Sequence, residues 1–484
     1  MDQATPPPEH KTLLFTELKT QWLITTPLIC MNLTWFAKIA ITTAFLGRLG
    51  ELPLAGGTLG FTFANVTGFS ILNGLCGAME PICGQAFGAK NFKLLHKTLV
   101  MSISLLLMSS IPISILWINV DRILIQFGQQ HEIASLAGDY LLYMLPDLIA
   151  ISFLCPLKTY LSTQNVTVPI MIASALATVL HVPANIFLSR AMGLRGVSVA
   201  VWATDFVVVA FLGAYVLASE MKKGGKWDEG GWWDHKTGDW SRLFGLCGPC
   251  CLTTCLEWWC YEIMVLITGR LPSPAQSLGT LAIVLNFDYL VFSFMLSAAT
   301  CASVRVANEV GGGRAGRARL SARVCLAVGA AAGVAGGAAT ATAGGWWGPL
   351  YSRDGGVVGK VRRVMPVMAA VEVVNFPLAV CGGILRGTAK PWLGTYANIF
   401  GFYVVALPVG VVLGFRVGMG LEGLLLGFVG GVTACFAVLL VFVARIDWDD
   451  EVDKARRRVE ISDRDSEEGE DEIRNGKQSG EVMT

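Results

Sequence analysis

Twelve apolar runs of about twenty residues, joined by short polar segments, set the limits on what this 484-residue chain can fold into. A helix needs that length to cross ~30 Å of hydrocarbon, and inside hydrocarbon only a helix or a closed barrel satisfies its own backbone. The runs read as helical spans at 22–47, 58–87, 98–119, 137–158, 166–189, 195–220, 244–269, 277–304, 321–345, 362–386, 391–416 and 419–444. Composition agrees, with 53% apolar and 15% charged residues. A soluble chain of this length would make two or three domains with roughly a quarter of its residues charged. The expected fold class is an all-α membrane protein of two six-helix lobes. Pro112, Pro146, Pro183, Pro377 and Pro408 fall inside spans, where neighbouring helices can satisfy the freed backbone groups.

The net charge of +1 leaves no basic field for nucleic acid. The first residues hold Pro6, Pro7, Pro8, Glu9 and Glu17 rather than a basic n-region and short apolar core, so the first span is expected to be retained. Thirteen cysteines are scattered through apolar segments as small packing residues, not as a disulfide framework. The charged segments divide the chain into a tail at 1–21, a first lobe at 22–220, a linker at 221–243, a second lobe at 244–444 and a tail at 445–484. That last tail is expected to be disordered after a short helix. Lys90, Lys93 and Lys97 share one loop and Arg305, Arg314, Arg317, Arg319 and Arg323 its counterpart, which favours both termini and the linker in the cytosol.

The halves repeat at an offset of about 223 residues. Gln85-Ala86-Phe87-Gly88-Ala89 aligns with Asn308-Glu309-Val310-Gly311-Gly312, Pro169 with Pro391, and Gly193-Leu194-Arg195-Gly196 with Gly420-Leu421-Glu422-Gly423. Six spans per half make the repeat parallel, with a pseudo-two-fold axis along the membrane normal. Such repeats place a cavity between two lobes that rock between opposite openings.

At these residues the chain resembles the multidrug and toxic compound extrusion (MATE) family, in its plant branch of detoxification efflux carriers. The resemblance is carried by Gly50-Glu51-Leu52-Pro53-Leu54-Ala55-Gly56 and Glu80-Pro81-Ile82-Cys83-Gly84-Gln85. In the second half it runs through Cys255-Leu256-Glu257-Trp258-Trp259-Cys260-Tyr261-Glu262, Ala302-Ser303-Val304-Arg305, Val374-Asn375-Phe376-Pro377 and Gly383-Ile384-Leu385-Arg386-Gly387. It implies a two-lobed, secondary-active antiporter that exports organic solutes, xenobiotics or metabolites in exchange for protons or sodium, at the plasma membrane or an endomembrane such as Golgi, late endosome or vacuole.

Glu257 lies ~21 Å along its helix from Leu243, deep in the hydrocarbon. A carboxylate there costs several kcal/mol if charged and unpaired, which suits reversible proton binding. Glu257 and Glu262 match acidic positions of the seventh span in the family and are the expected proton-coupling residues, though five residues apart they point about 140° away from each other. Trp258 and Tyr261, with Asn286, Asp288, Glu372 and Asn375, are expected to line the substrate cavity; aromatic faces beside acids suit a flat organic cation. Asn375 stands where many relatives carry an acid, and Glu372, one turn earlier, is the candidate replacement. Glu80, Gln85 and Arg305 fall in the repeated motifs and are expected to gate. Asp139, Asp147, Asp205 and Lys38 also lie in or near spans, with Lys38 free to pair with an acid of the first lobe. His181 reads as a hydrogen-bonded interior residue.

Cys247-Gly248-Pro249-Cys250 spells a thioredoxin-type motif but opens an apolar span without a preceding strand, so no redox role is expected. No zinc-ligand spacing and no Walker A sequence occurs. The expectation is a monomer that is not an enzyme, takes no cofactor beyond H+ or Na+ as coupling ion, and has a small organic solute and the lipid bilayer as partners. The alternative is a membrane-embedded adaptor that recruits cytosolic partners through its charged tail.

Overall fold

The apolar runs form helices because nothing else in them can pair the backbone, and in the computed structural model each is long and apolar enough to span a membrane. The structure describes residues 10–222, 232 and 237–458. Spans 1 to 6 are Lys11–Leu49, Glu51–Gly88, Phe92–Ile118, His131–Thr163, Val168–Met192 and Leu194–Lys222. Spans 7 to 12 are Thr237–Thr268, Pro274–Gly311, Ala315–Ala343, Gly355–Gly387, Pro391–Arg416 and Gly420–Ala444. Most of the 221–243 linker and the acidic tail from 459 onward lie outside the described residues. A helix over 448–458 does follow span 12 and buries Trp448, Val452 and Ala455 against the second lobe.

Helices run past the apolar runs because their ends can stay hydrogen-bonded in water. Span 1 is the clearest case: residues expected as a tail are helical from His10 and carry Glu17 and Gln21 to the opposite lobe. Span 11 departs from a regular α-helix. It opens into π turns at Ile399–Ala406 and Val412–Arg416 on either side of a short piece that holds Pro408, whose missing N–H favours such widening.

One buried cluster draws on spans 1 to 6 around Trp117, Tyr140 and Tyr160 and takes in Leu243, Cys247 and Cys250 from the start of span 7; a second draws on spans 7 to 12 around Phe376, Phe402 and Phe428. Large apolar side chains such as Phe187, Leu266 and Val404 stay exposed on the outside of the bundle, as lipid contact requires.

The repeat is written into the backbone. Span 2 ends with Lys90 at φ 61 and the Asn91 N–H bonded to the Ala86 carbonyl; span 8 ends with Gly313 at φ 73 and the Arg314 N–H bonded to the Glu309 carbonyl. The same left-handed helix stop closes spans 4 and 10, at Asn165 and Ala389. On the side of the molecule that carries the termini, spans 2 and 8 meet across the lobes. A Cβ at Gly88 would overlap the Asn308 carbonyl and one at Gly311 the Gln85 carbonyl, so the two contacts are a single contact repeated by the pseudo-two-fold axis. Gly84 faces Ala307, its own counterpart at the 223-residue offset, on that axis. Only a missing side chain allows so close an approach.

Candidate functional site

Between the lobes lies a cavity of about 410 Å³, lined by spans 1, 2, 4, 5 and 6 of the first lobe and spans 7, 8 and 10 of the second. Its first-lobe wall holds charges that hydrocarbon would not tolerate singly. Lys38 of span 1 pairs with Asp205 of span 6 at 2.8 Å and donates to the Val201 carbonyl at 2.9 Å. Asp147 of span 4 lies beside that pair, 1% exposed, with one carboxyl oxygen unpartnered. Lys158, three turns further along span 4, also lines the cavity, and among the described residues no carboxylate stands within ion-pair distance of it. Behind this wall His181 is fully buried, 2.9 Å from the Thr42 hydroxyl and 3.0 Å from the Asn185 amide.

The second-lobe wall is more apolar. Trp258 and Phe292 meet edge to face at 5.7 Å, flanked by Thr254, Ser293 and Thr300. Where the lobes converge, Arg386 of span 10 donates from Nε to Glu80 of span 2 at 3.2 Å. Both residues line the cavity and close its floor.

Below that floor the lobes are fastened repeatedly. Arg305 reaches Glu17 through Nε at 3.0 Å and Nη2 at 2.6 Å, and binds Glu309 at 2.8 Å. Ser321 and Gln21 also donate to Glu17, and Gln85 donates to the Gly387 carbonyl at 3.2 Å. Nearer mid-depth, Asn32 donates to Ser297 at 2.9 Å, and Trp259 donates to the Val66 carbonyl within the π turn of span 2 at 3.2 Å. Beyond these two, toward the side away from the termini, no hydrogen bond or ion pair joins the lobes among the described residues. The lobes are closed at the terminal side.

Of the residues expected to line a substrate cavity, Trp258 is on this lining, whereas Tyr261, Asn286, Asp288, Glu372 and Asn375 are not. Tyr261, Asp288 and Glu372 instead gather inside the second lobe with Glu257: Asp288 adjoins Glu372, and Tyr261 lies among all three acids. Asn375 is buried on the same helix as Glu372. Asn286 spends its amide on the Ala282 carbonyl of its own helix, at 2.9 Å. Glu257 is off the cavity surface, within the electrostatic reach of Arg386 and Asp288. Glu262 sits apart, half-buried near Tyr289. Glu80, Gln85 and Arg305 all take part in contacts between the lobes. Lys158 was missed by sequence reasoning, because a lysine close to the end of a span looks like ordinary interfacial flanking. Lys38, Asp147 and Asp205 carried a signal as intramembrane charges, but not their convergence.

All thirteen cysteines are free, and Cys247 and Cys250 are buried. No group able to hold a metal occurs among the described residues.

The profile of the MatE family matches residues 27–187 and 249–412, one stretch in each lobe. The chain belongs to the MatE family. Its MatE relatives include Protein DETOXIFICATION 56 of Arabidopsis thaliana, 56% identical over 441 residues that cover 91% of this chain and 90% of the relative. Protein DETOXIFICATION 49 of the same plant is 38% identical over 469 residues, covering 96% and 93%. Among solved structures, the eukaryotic MATE transporter AtDTX14 superposes with a TM-score of 0.85 at 27% identity, over 92% of this chain and all of that one. A transporter of the MOP superfamily from Pyrococcus furiosus shares the fold, with a TM-score of 0.80 at 14% identity over 93% and 100%. The chain is thus a multi-pass membrane transporter of the detoxification type, with two six-helix lobes.

Proposed function

We propose that this transporter is a secondary-active antiporter that exports a small organic solute through the inter-lobe cavity in exchange for protons or sodium. The observation that supports the reading is the cavity itself: the two lobes enclose it, and among the described residues the hydrogen bonds and ion pairs that join them lie at mid-depth and on the terminal side. With the termini in the cytosol, this is the state in which an exporter releases its solute away from the cytosol. Trp258 and Phe292 supply an apolar face for the solute, and the Lys38–Asp205 pair, Asp147 and Lys158 supply polar contacts opposite.

Coupling falls to the second-lobe acids. Glu257, Asp288 and Glu372 gather around Tyr261 within the spans of the second lobe, and a lone negative charge there is costly, so gain and loss of a small cation is their natural chemistry. Arg386 links this cluster to the floor, because Glu257 and Glu80 both act on its one guanidinium. A proton at Glu257 changes how firmly Arg386 holds Glu80, and thereby the balance between lobe states.

The test is flux in proteoliposomes, with a panel of organic cations, anions and neutral solutes under separately imposed proton and sodium gradients. Uphill export driven by one of the two gradients is the expected result. Flux indifferent to both gradients would leave a passive pore and sink the reading.

A further inference from the structure

A second cavity, of about 280 Å³, lies on the terminal side beneath the cavity floor, and its polar lining is two arginines and a glutamine. Arg242 comes from the first turns of span 7, Arg458 from the helix that follows span 12, and Gln85 from the first lobe. Pro81, Ile82 and Leu246 form an apolar wall. Arg242 donates to the Arg458 backbone carbonyl at 3.1 Å, while its Nε is buried without a hydrogen-bond partner. Arg458 reaches the Gln85 amide oxygen at 3.5 Å.

Two guanidiniums this close repel, and removal from water strengthens the repulsion. Ordinarily a carboxylate answers such a pair. Here, among the described residues, no carboxylate stands within ion-pair distance of either, and Asp239 and Glu451 act on them only from further away. The neighbouring acids are engaged elsewhere: Asp239 binds Lys97 at 2.8 Å, and Glu451 binds Lys390 at 2.6 Å. Burial holds the Arg458 guanidinium below the usual arginine range, only partly offset by Glu451. The donors left over are forked and planar, the geometry that accepts two oxygens of one anion.

We propose that this pocket binds a phosphate group, and that an occupant joins Gln85 of the first lobe to Arg242 and Arg458 of the second, which holds the terminal side closed. The phosphate is a phosphomonoester, carried either on a lipid headgroup or on a soluble molecule; both offer the same near-dianionic set of oxygens, and the apolar wall admits the carbon atoms next to them. Binding is independent of the antiport reading. Only the effect on flux rests on it.

The test uses the full chain in nanodiscs of phosphatidylcholine, with thermal unfolding followed as glycerol 3-phosphate is titrated against sodium chloride at matched ionic strength. A parallel set of discs contains phosphatidylinositol 4-phosphate. A saturable rise in Tm in either set is expected, with at least a tenfold weaker apparent affinity in R458Q and in R242Q. A response confined to the lipid set identifies a headgroup, and one to the soluble titrant identifies a free phosphomonoester. R458Q changes a residue outside the membrane spans, so it keeps the test open should R242Q fold poorly. A rise matched by chloride, or one left unchanged in R458Q, overturns the site. Saturable binding that leaves solute exchange as fast as before overturns the clamping role, while the antiport reading is judged separately from exchange in phosphate-free discs.

Discussion

Arg386 Nε lies 3.2 Å from Glu80 across the interface between the lobes, at the floor of the central cavity, so that one ion pair both closes the cavity and joins its two walls. The pair is partly shielded, with 22% and 17% of the two side chains exposed. Removing one partner weakens the hold on the other's charge in a poorly solvated place. E80Q is expected to loosen the terminal side and raise the modification rate of a cysteine reporter at Gln85 severalfold, while the charge-reversed double variant E80R/R386E recovers most of the wild-type protection. Equal reporter rates in wild type and E80Q would remove the pair from the gate.

Glu257 carries the coupling proposal, and its position off the cavity surface separates two activities. E257Q is expected to abolish uphill export under a pH gradient and to spare solute exchange between equal concentrations, because the solute wall of Trp258 and Phe292 is intact. Loss of both activities together would place Glu257 in solute binding instead.

Lys38 and Asp205 test the first lobe. K38M strands Asp205 among buried groups and is expected to cost about 3–5 kcal/mol, whereas K38M/D205N removes both charges and recovers most of that loss. Urea unfolding of the purified protein in detergent, read as a double-mutant cycle, measures the difference.

Arg305 holds the N-terminal extension of span 1 through Glu17. R305A is expected to expose residues 11–20 to faster hydrogen exchange with little change in the interior of span 8, since Glu309 keeps Arg314 at 2.6 Å. Unaltered exchange over 11–20 would show that Gln21 and Ser321 suffice.

Much of the fold was legible in the sequence, since length and hydropathy dictate spans and a 223-residue repeat dictates two like halves. The extension of span 1 was not, because Glu17 and Gln21 look like solvated tail residues until Arg305 and Ser321 are known to face them. The site was legible in its parts. Glu257, Asp288 and Glu372 stood out as acids at hydrocarbon depth, and they do assemble. Their separation from the solute cavity was hidden, since helical spacing fixes which face of a helix a residue occupies but not which neighbour that face meets. Lys38, Asp147 and Asp205 sit on three different spans, and only packing brings them together.

The reciprocal seats of Gly88 and Gly311 carry a consequence for opening. Symmetry makes the two contacts twins, and Gly84 on the axis leaves no room for one to slacken while its twin stays seated. Opening of the terminal side must therefore break both seats. A bulkier residue at either glycine would wedge both at once.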